Sequence, residues 1–124
     1  MLTKSAEDYL EAIYMVQLNN DIVRSVQIAS MLNVSKPAVN KAMNHLKKQG
    51  LIDKPDYSSI KLTEKGREAA KRVYRKHTSL KEFLMMIGVS EKTAEEDGCK
   101  IEHIISKETF NQILSFLEQN KTSR

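Results

Sequence analysis

The fold is decided between Ser25 and Gly50, where the chain reads SVQIASMLNVSKPAVNKAMNHLKKQG. Apolar residues at helical spacing predict a short helix over residues 25–32 and a longer helix that begins after Ser35 and stops at Gly50. Pro37 falls in the first turn of the longer helix, where its missing N–H is tolerated. A short helix, a tight turn and a longer helix together predict a helix-turn-helix, in which the longer helix is the recognition helix.

The segments around this motif extend the prediction to a winged helix-turn-helix. Residues 51–54 and 59–62 read as short strands on either side of a turn signal at 55–58, which predicts a small hairpin, or wing. A helix is predicted over residues 5–18, with Ser5 as its N-cap, and another from about residue 63 to residue 87. Further helices are predicted after Ser90 and Ser106, followed by a polar tail over residues 121–124.

Composition limits the class of protein. The chain has 124 residues and a net charge of +4, enough for one compact unit or two small ones. Residues 36–61 carry six Lys and two Asp, residues 65–81 carry seven Lys or Arg and one Glu, and residues 91–103 carry five acids and two Lys. The single Cys excludes an internal disulfide and favours a reducing, cytoplasmic setting. No apolar run approaches the roughly 18 residues of a membrane span and no signal-peptide pattern opens the chain, so no membrane partner is expected.

The outward face of the recognition helix is small, polar and basic. Lys can reach phosphates or guanine, Asn can read adenine, and Pro and Ala can press on a thymine methyl. Winged helices also serve as protein-interaction modules, but this face favours double-stranded DNA. The residues predicted to contact DNA are Ser25, Gln27, Ser35, Lys36, Pro37, Ala38, Asn40, Lys41, Asn44, Lys54, Tyr57, Ser58 and Lys61.

Two groups of metal-ligand residue types flank the helix-turn-helix. Cys99, Glu102 and His103 stand at i, i+3 and i+4, a spacing that turns a thiol, a carboxylate and an imidazole toward one side of a helix. Asp8 and Glu11 repeat the arrangement with two carboxylates at i and i+3. Each residue alone has an ordinary structural explanation, and spacing does not establish that the helices converge. From the residues alone, a divalent metal site and an incidental cluster both remain open.

The chain resembles the diphtheria toxin repressor family of metal-dependent regulators, and most closely its short two-domain manganese transport regulator type. The resemblance covers essentially the whole chain and is carried by residues 7–14 (EDYLEAIY), 28–29 (IA), 34–39 (VSKPAV), 62–66 (LTEKG), 75–77 (RKH) and 98–103 (GCKIEH). It implies a homodimer that binds Mn(II) or Fe(II) and then an operator, and that represses metal-homeostasis genes. By the same resemblance, the metal ligands are Asp8, Glu11, His77, Cys99, Glu102 and His103.

One ligand position departs from the manganese type. Cys99 stands where a Glu is expected and is the residue of the iron type, and a thiolate favours softer metals than Mn(II). The expected cofactor is therefore Fe(II) or Mn(II), with a slight lean to Fe(II), and Zn(II), Co(II) or Ni(II) could bind in vitro. Lys81 and Glu95 replace the Glu and His expected of the iron type's second, ancillary site, which argues against that site here.

These patterns predict a mainly α protein with an N-terminal winged helix-turn-helix over residues 1–62 and an α-helical metal-binding and dimerisation domain over residues 63–124. The predicted function is a metal-dependent transcriptional repressor, active as a homodimer on operator DNA that is palindromic because a two-fold dimer needs two-fold sites. The first alternative is a winged-helix regulator that needs no metal. The second, a small metallohydrolase, is disfavoured because the chain has no HExxH motif, nucleophile elbow or phosphate loop, so no enzyme is expected.

Overall fold

The computed structural model describes residues 2–19, 22–53 and 59–122, and within them the chain is mostly helical. The predicted mainly α class, with a small two-stranded wing, is confirmed. No helix in these ranges is long and apolar enough to cross a membrane. The elements in chain order are α1 (Lys4–Asn19), α2 (Ser25–Leu32), α3 (Lys36–Lys48), β1 (Ile52–Asp53), β2 (Lys61–Leu62), α4 (Glu64–Met86), α5 (Glu91–Ile101) and α6 (Lys107–Thr122).

Serine side chains cap three of the helices at the places the sequence predicts. Each hydroxyl oxygen accepts a hydrogen bond from the backbone N–H three residues on, which satisfies one of the donors that a helix leaves open at its start. The three bonds are Ala38 N–H to Ser35 Oγ at 3.2 Å, Thr93 N–H to Ser90 Oγ at 3.3 Å, and Thr109 N–H to Ser106 Oγ at 3.1 Å.

The two ends of the helical region differ from the prediction. Helix α1 begins at Lys4, because Thr3 Oγ1 accepts the Ala6 N–H at 3.1 Å and so acts as the cap. The prediction of Ser5 as N-cap was wrong, since Ser5 already lies in the first turn of the helix. At the other end, α6 continues to Thr122, so the polar tail predicted from residue 121 begins inside a helix.

The predicted hairpin is present, with shorter strands than expected. Strands β1 and β2 are antiparallel, with Ile52 opposite Leu62, and the segment before α2 joins them because the Ile60 N–H donates to the Val23 carbonyl at 2.8 Å. The buried side chains of Ile52 and Leu62 point to the same side. Residues 54–58, which include the turn predicted at 55–58, lie outside the described residues.

The chain forms two compact units, residues 1–73 and residues 74–124, and α4 passes from the first into the second. Gly66, in the first turn of α4, shows how closely the first unit is packed. A Cβ at this position would overlap the backbone carbonyl of Leu51, so only glycine fits. The buried side chains of this unit form one core, made by Ala6, Tyr9, Leu10, Ala12, Ile13, Val16, Val23, Ile28, Val39, Met43, Leu46, Leu51, Ile52, Ile60, Leu62, Ala69 and Ala70.

The second unit is built from the C-terminal part of α4 together with α5 and α6. Phe83 of α4 and Phe116 of α6 meet edge to face, with ring centroids 5.7 Å apart. Gly98 of α5 lies against the α4 backbone, since a Cβ there would sit 3.5 Å from Lys81 N and 3.8 Å from the His77 carbonyl oxygen. This close approach brings the last turn of α5 next to His77.

Candidate metal centre

Four of the predicted ligand residues come together within the second unit. Cys99, Glu102 and His103, at the end of α5 and in the turn after it, each offer a donor atom within 4.8 Å of the others. His77 comes from α4, and its Nδ1 lies 3.6 Å from Glu102 Oε2. The spacing of residues 99–103 therefore does place a thiol, a carboxylate and an imidazole on one side, and a second imidazole, that of His77, lies beside the carboxylate of Glu102.

Glu102 is the least ordinary residue of this cluster. It is 1% exposed, and neither of its carboxylate oxygens has a hydrogen-bond partner in the part of the chain that the structure describes. Its two oxygens face imidazole nitrogens instead, Oε2 at 3.6 Å from His77 Nδ1 and Oε1 at 3.5 Å from His103 Nε2. A buried carboxylate without a donor is strongly disfavoured unless a cation balances it.

The distances fit a shared metal ion better than they fit hydrogen bonds. Nitrogen and oxygen donors that would bind one ion at about 2.1 Å lie roughly 3.0–3.4 Å from each other, depending on the coordination number. The separations of 3.5 and 3.6 Å around Glu102 are close to the upper end of that range and longer than good hydrogen bonds. The donor types also agree, because thiolate, carboxylate and imidazole together suit a divalent transition metal.

The outer side of His77 is held by a charged pair. His77 Nε2 lies 2.8 Å from Glu95 Oε1, and Lys81 Nζ lies 3.1 Å from Glu95 Oε2. Burial tends to raise the pKa of Glu95, but hydrogen bonds with Lys81 and His77 outweigh it and hold that pKa below its usual range. The hydrogen bond to Glu95 likewise raises the pKa of Lys81. Glu95 is therefore an ionised acceptor beside the His77 ring.

The two N-terminal carboxylates lie on α1, in the first unit. Asp8 is half-buried and Glu11 is 8% exposed, an unusual environment for a glutamate side chain. Their separation of three residues within one helix puts both carboxylates on the same side of α1, as the sequence predicts.

The predicted DNA-contacting residues of the recognition helix form an exposed face. Lys36, Pro37, Asn40, Lys41 and Asn44 are all exposed, and Ala38 beside them is half-buried. Lys61 on β2 is exposed as well. This surface leaves Lys and Asn side chains available for phosphates and base edges.

The other predicted DNA contacts have a different placement. Ser35 and Gln27 already have structural roles, because Ser35 caps α3 and Gln27 Oε1 accepts the Arg24 N–H at 2.7 Å. Ser25, the first residue of α2, is half-buried. Lys54, Tyr57 and Ser58 lie outside the described residues.

Sequence reasoning missed the contacts of Glu95 and Lys81, which it treated only as replacements at an absent second site. Two helical spacings could have indicated them. Lys81 follows His77 by four residues, and Glu95 precedes Cys99 by four, so each lies one turn from a ligand candidate on its own helix.

Two models of known protein families match this chain. Residues 1–60 match the family described as "Iron dependent repressor, N-terminal DNA binding domain", and residues 63–124 match "Iron dependent repressor, metal binding and dimerisation domain". The chain belongs to the iron-dependent repressor family. The resemblance to the diphtheria toxin repressor family and its short manganese-regulator type is confirmed, and the chain is a metal-dependent transcriptional repressor.

Individual members of the iron-dependent repressor family resemble the chain over nearly its whole length. It is 38% identical to an uncharacterized HTH-type transcriptional regulator of Methanocaldococcus jannaschii, over 97% of this chain and 98% of that one. It is 35% identical to the HTH-type transcriptional regulator MntR of Lysinibacillus sphaericus, over 95% of this chain and 85% of that one. These relatives are transcriptional regulators.

A solved structure of the iron-dependent repressor family supports the same fold. The chain is similar to a manganese-dependent transcriptional repressor in complex with manganese, with a TM-score of 0.82 and 29% identity. The similarity covers 90% of this chain but 52% of that one, so the chain spans about half the length of that solved relative.

Proposed function

We propose that the chain represses metal-homeostasis genes when Fe(II) or Mn(II) is bound by Asp8, Glu11, His77, Cys99, Glu102 and His103. The observation that carries the proposal is the carboxylate of Glu102, which is 1% exposed and has no hydrogen-bond partner among the described residues. Two imidazoles at 3.5 and 3.6 Å and the nearby thiol of Cys99 complete a donor set that suits a divalent metal.

Cys99 decides which of the two metals we favour. A thiolate binds Fe(II), Co(II) and Zn(II) more readily than it binds Mn(II), whereas carboxylates serve Mn(II) well. We therefore lean to Fe(II) as the physiological cofactor, with Zn(II), Co(II) and Ni(II) as substitutes in vitro. Cys99 must stay reduced to act as a ligand, which agrees with a cytoplasmic protein.

The ligands include residues from both units, and this suggests how metal controls DNA binding. Asp8, Glu11 and Glu102, once ionised and brought together, repel one another without a cation. A bound divalent ion supplies the positive charge that offsets this repulsion. The carboxylates of α1 and the ligands of the second unit can then hold the two units in one arrangement.

DNA binding follows from that arrangement in a two-fold dimer. We propose that residues 1–62 read DNA through the exposed face of α3 and that residues 63–124 bind metal and dimerise. Two recognition helices must match half-sites of a palindromic operator about one helical turn, or roughly 34 Å, apart. Ordering the units therefore raises operator affinity by a population shift, typically about 5–150-fold for one effector.

Fluorescence anisotropy tests this function directly. The probe is a labelled duplex recovered by in-vitro selection on the metal-loaded protein, and binding is measured with chelator, with Mn(II), with anaerobic Fe(II) and with Zn(II). The variant Glu102→Gln removes the buried charge, and Glu96→Gln is the matched control, because Glu96 is an exposed glutamate of the same helix.

We expect metal to stimulate binding of the wild type and of Glu96→Gln, and to have little effect on Glu102→Gln. Equal operator binding with chelator and with every metal would instead support a winged-helix regulator that needs no metal. Stimulation by Fe(II) and not by Mn(II) would establish the iron preference, and equal stimulation by both would remove it.

A further inference from the structure

The two ring nitrogens of His77 have different surroundings within the second unit. Nε2 lies 2.8 Å from Glu95 Oε1, a good hydrogen-bond distance. Nδ1 lies 3.6 Å from Glu102 Oε2, a separation longer than a good hydrogen bond. The ring is therefore oriented with one nitrogen toward a hydrogen-bond acceptor and the other toward the metal centre.

The contact with Glu95 bears on which ring nitrogen of His77 carries the proton, because the hydrogen-bond roles of an imidazole depend on its tautomer. With Lys81 on its other oxygen, the Glu95 carboxylate is placed to accept a hydrogen bond from His77 Nε2, and this geometry favours a neutral ring with its proton on Nε2. Its lone pair is then on Nδ1, which faces Glu102. A histidine binds a metal through such a lone pair, and hydrogen bonding of its other nitrogen usually fixes the ring and its tautomer.

Lys81 holds the Glu95 carboxylate in place from its other side. Its ammonium group lies 3.1 Å from Glu95 Oε2, so the two carboxylate oxygens have separate partners, Lys81 and His77. Glu95 is about half exposed, which means that solvent screens the charges and weakens their energy. The effect of the pair is therefore mainly directional, through the orientation and tautomer of His77.

We propose that Glu95 is a positioning residue of the metal centre, which Lys81 holds in place and which presents Nδ1 of His77 to the metal. This inference rests on the proposed metal-dependent function and goes beyond it, because neither residue belongs to the proposed ligand set. Loss of a hydrogen-bonded carboxylate behind a ligating histidine typically lowers metal affinity about 10–100-fold.

The test begins with the metal-free protein, so that it does not depend on metal binding. Long-range ¹H–¹⁵N spectra of the imidazoles report the tautomer of each histidine, and the chain has three, so His45→Gln and His103→Gln assign the His77 signals. We expect the Nε2–H tautomer at His77 in the wild type and in Glu96→Gln. In Glu95→Gln the amide can donate to Nε2, and we expect the Nδ1–H form to appear.

Zn(II) affinity, measured by competition with a coloured chelator, is the second readout. We expect Glu95→Gln to lower the affinity about 10–100-fold and Glu96→Gln to leave it within about twofold. Lys81→Met should lower it by a smaller factor. Lys81→Arg keeps a cation beside Glu95, so it should retain the wild-type Zn(II) affinity and the wild-type tautomer of His77.

The outcomes separate this inference from the proposed function. Failure of the wild-type protein to bind Zn(II), Fe(II) or Mn(II) would overturn the metal-dependent function itself. Tight wild-type binding, with Glu95→Gln unchanged in both affinity and His77 tautomer, would overturn only the role of Glu95. A loss of affinity in Glu95→Gln with an unchanged tautomer would also overturn it, because the effect would then not act through His77.

Discussion

Glu102 Oε2 lies 3.6 Å from His77 Nδ1, so this pair brings the turn after α5 next to α4 in the candidate metal centre. The distance is too long for a good hydrogen bond, yet it suits two donors that share one ion. The second unit thus buries a carboxyl group whose two oxygens have no hydrogen-bond partner among the described residues. If this is the proposed metal centre, we expect the arrangement to lower the stability of the metal-free protein and to favour a metal-bound one, which is the first prediction.

Replacement of Glu102 by an apolar residue of similar size should make the thermal stability of the protein independent of added metal. Glu102→Met should raise the free energy of unfolding in chelator by about 1–3 kcal/mol, because a buried carboxyl group without hydrogen-bond partners is removed. The same change should abolish the increase in Tm that Zn(II) or Mn(II) gives the wild type. Thermal denaturation with and without metal measures both effects. Glu96→Met at an exposed position is the control, and a metal-free Glu102→Met protein less stable than wild type would contradict the account.

Cys99 should control the order of metal affinities. In Cys99→Glu the soft thiolate is replaced by a hard carboxylate, so Mn(II) affinity should rise relative to Zn(II) and Co(II) affinity. Chelator competition with each metal measures the ratio. Since Cys99 is the only cysteine, its alkylation rate gives a second test, because bound Zn(II) should protect the wild-type thiol. Unchanged metal ratios in Cys99→Glu would exclude the thiol as a ligand.

Two helical glycines should respond in opposite ways to alanine. Gly66→Ala should destabilise the protein by about 1–3 kcal/mol, because the new methyl overlaps the Leu51 carbonyl and the backbone must move. Gly98→Ala has room at ordinary van der Waals distance and should stabilise by about 0.5–1 kcal/mol through helix propensity. Denaturant unfolding in chelator compares the two. Similar effects of both substitutions would show that the packing at Gly66 is not tight.

Substitutions on the exposed face of α3 should distinguish residues that contact DNA phosphates from residues that read bases. Lys41→Ala should weaken binding to all duplexes alike and lower the slope of log affinity against log salt by about one. Asn44→Ala should instead reduce discrimination at one base position by about 1–3 kcal/mol. Salt titrations and a set of single-base operator variants measure these effects. Lys71→Ala, at an exposed lysine of α4, is the control, and an equal loss of salt dependence there would contradict the assignment.

Bound metal and bound operator should each raise the affinity of the protein for the other by the same factor. If Mn(II) or Fe(II) raises operator affinity by some factor, saturating operator must raise the affinity for that metal by the same factor. Metal titrations of the dimer with and without the selected duplex measure this second factor. A clear inequality between the two factors would mean that metal acts on DNA binding by a route other than a shared conformational equilibrium.

Local signals explain which parts of the fold could be predicted. Ser35 with Pro37, and Ser90, mark helix starts by side-chain bonds that span three residues, so the sequence alone contains the relevant information. The start of α1 was missed because Thr3 and Ser5 are both good caps and only the backbone path decides between them. The strand ends were also misplaced, since pairing of Ile52 with Leu62 depends on residues distant in sequence.

The sequence predicted the candidate metal ligands but not the residues that contact them. Spacing grouped Cys99, Glu102 and His103, and the family resemblance added His77. The contact of Glu95 with His77 depends on how closely α5 packs against α4 at Gly98, and no one-dimensional pattern gives that distance. The burial of Glu102 likewise comes from tertiary packing.

The salt bridge between Lys81 and Glu95 has an evolutionary consequence. Lys81 Nζ lies 3.1 Å from Glu95 Oε2, and the other oxygen of Glu95 contacts His77. An acidic residue at position 81 would therefore stand beside a second carboxylate and an imidazole. A Lys-to-Glu change needs one nucleotide, and we expect it to replace the salt bridge with a second carboxylate beside Glu95 and His77. The number of ions bound per subunit would then depend on one residue outside the proposed ligand set, and a single substitution could change it.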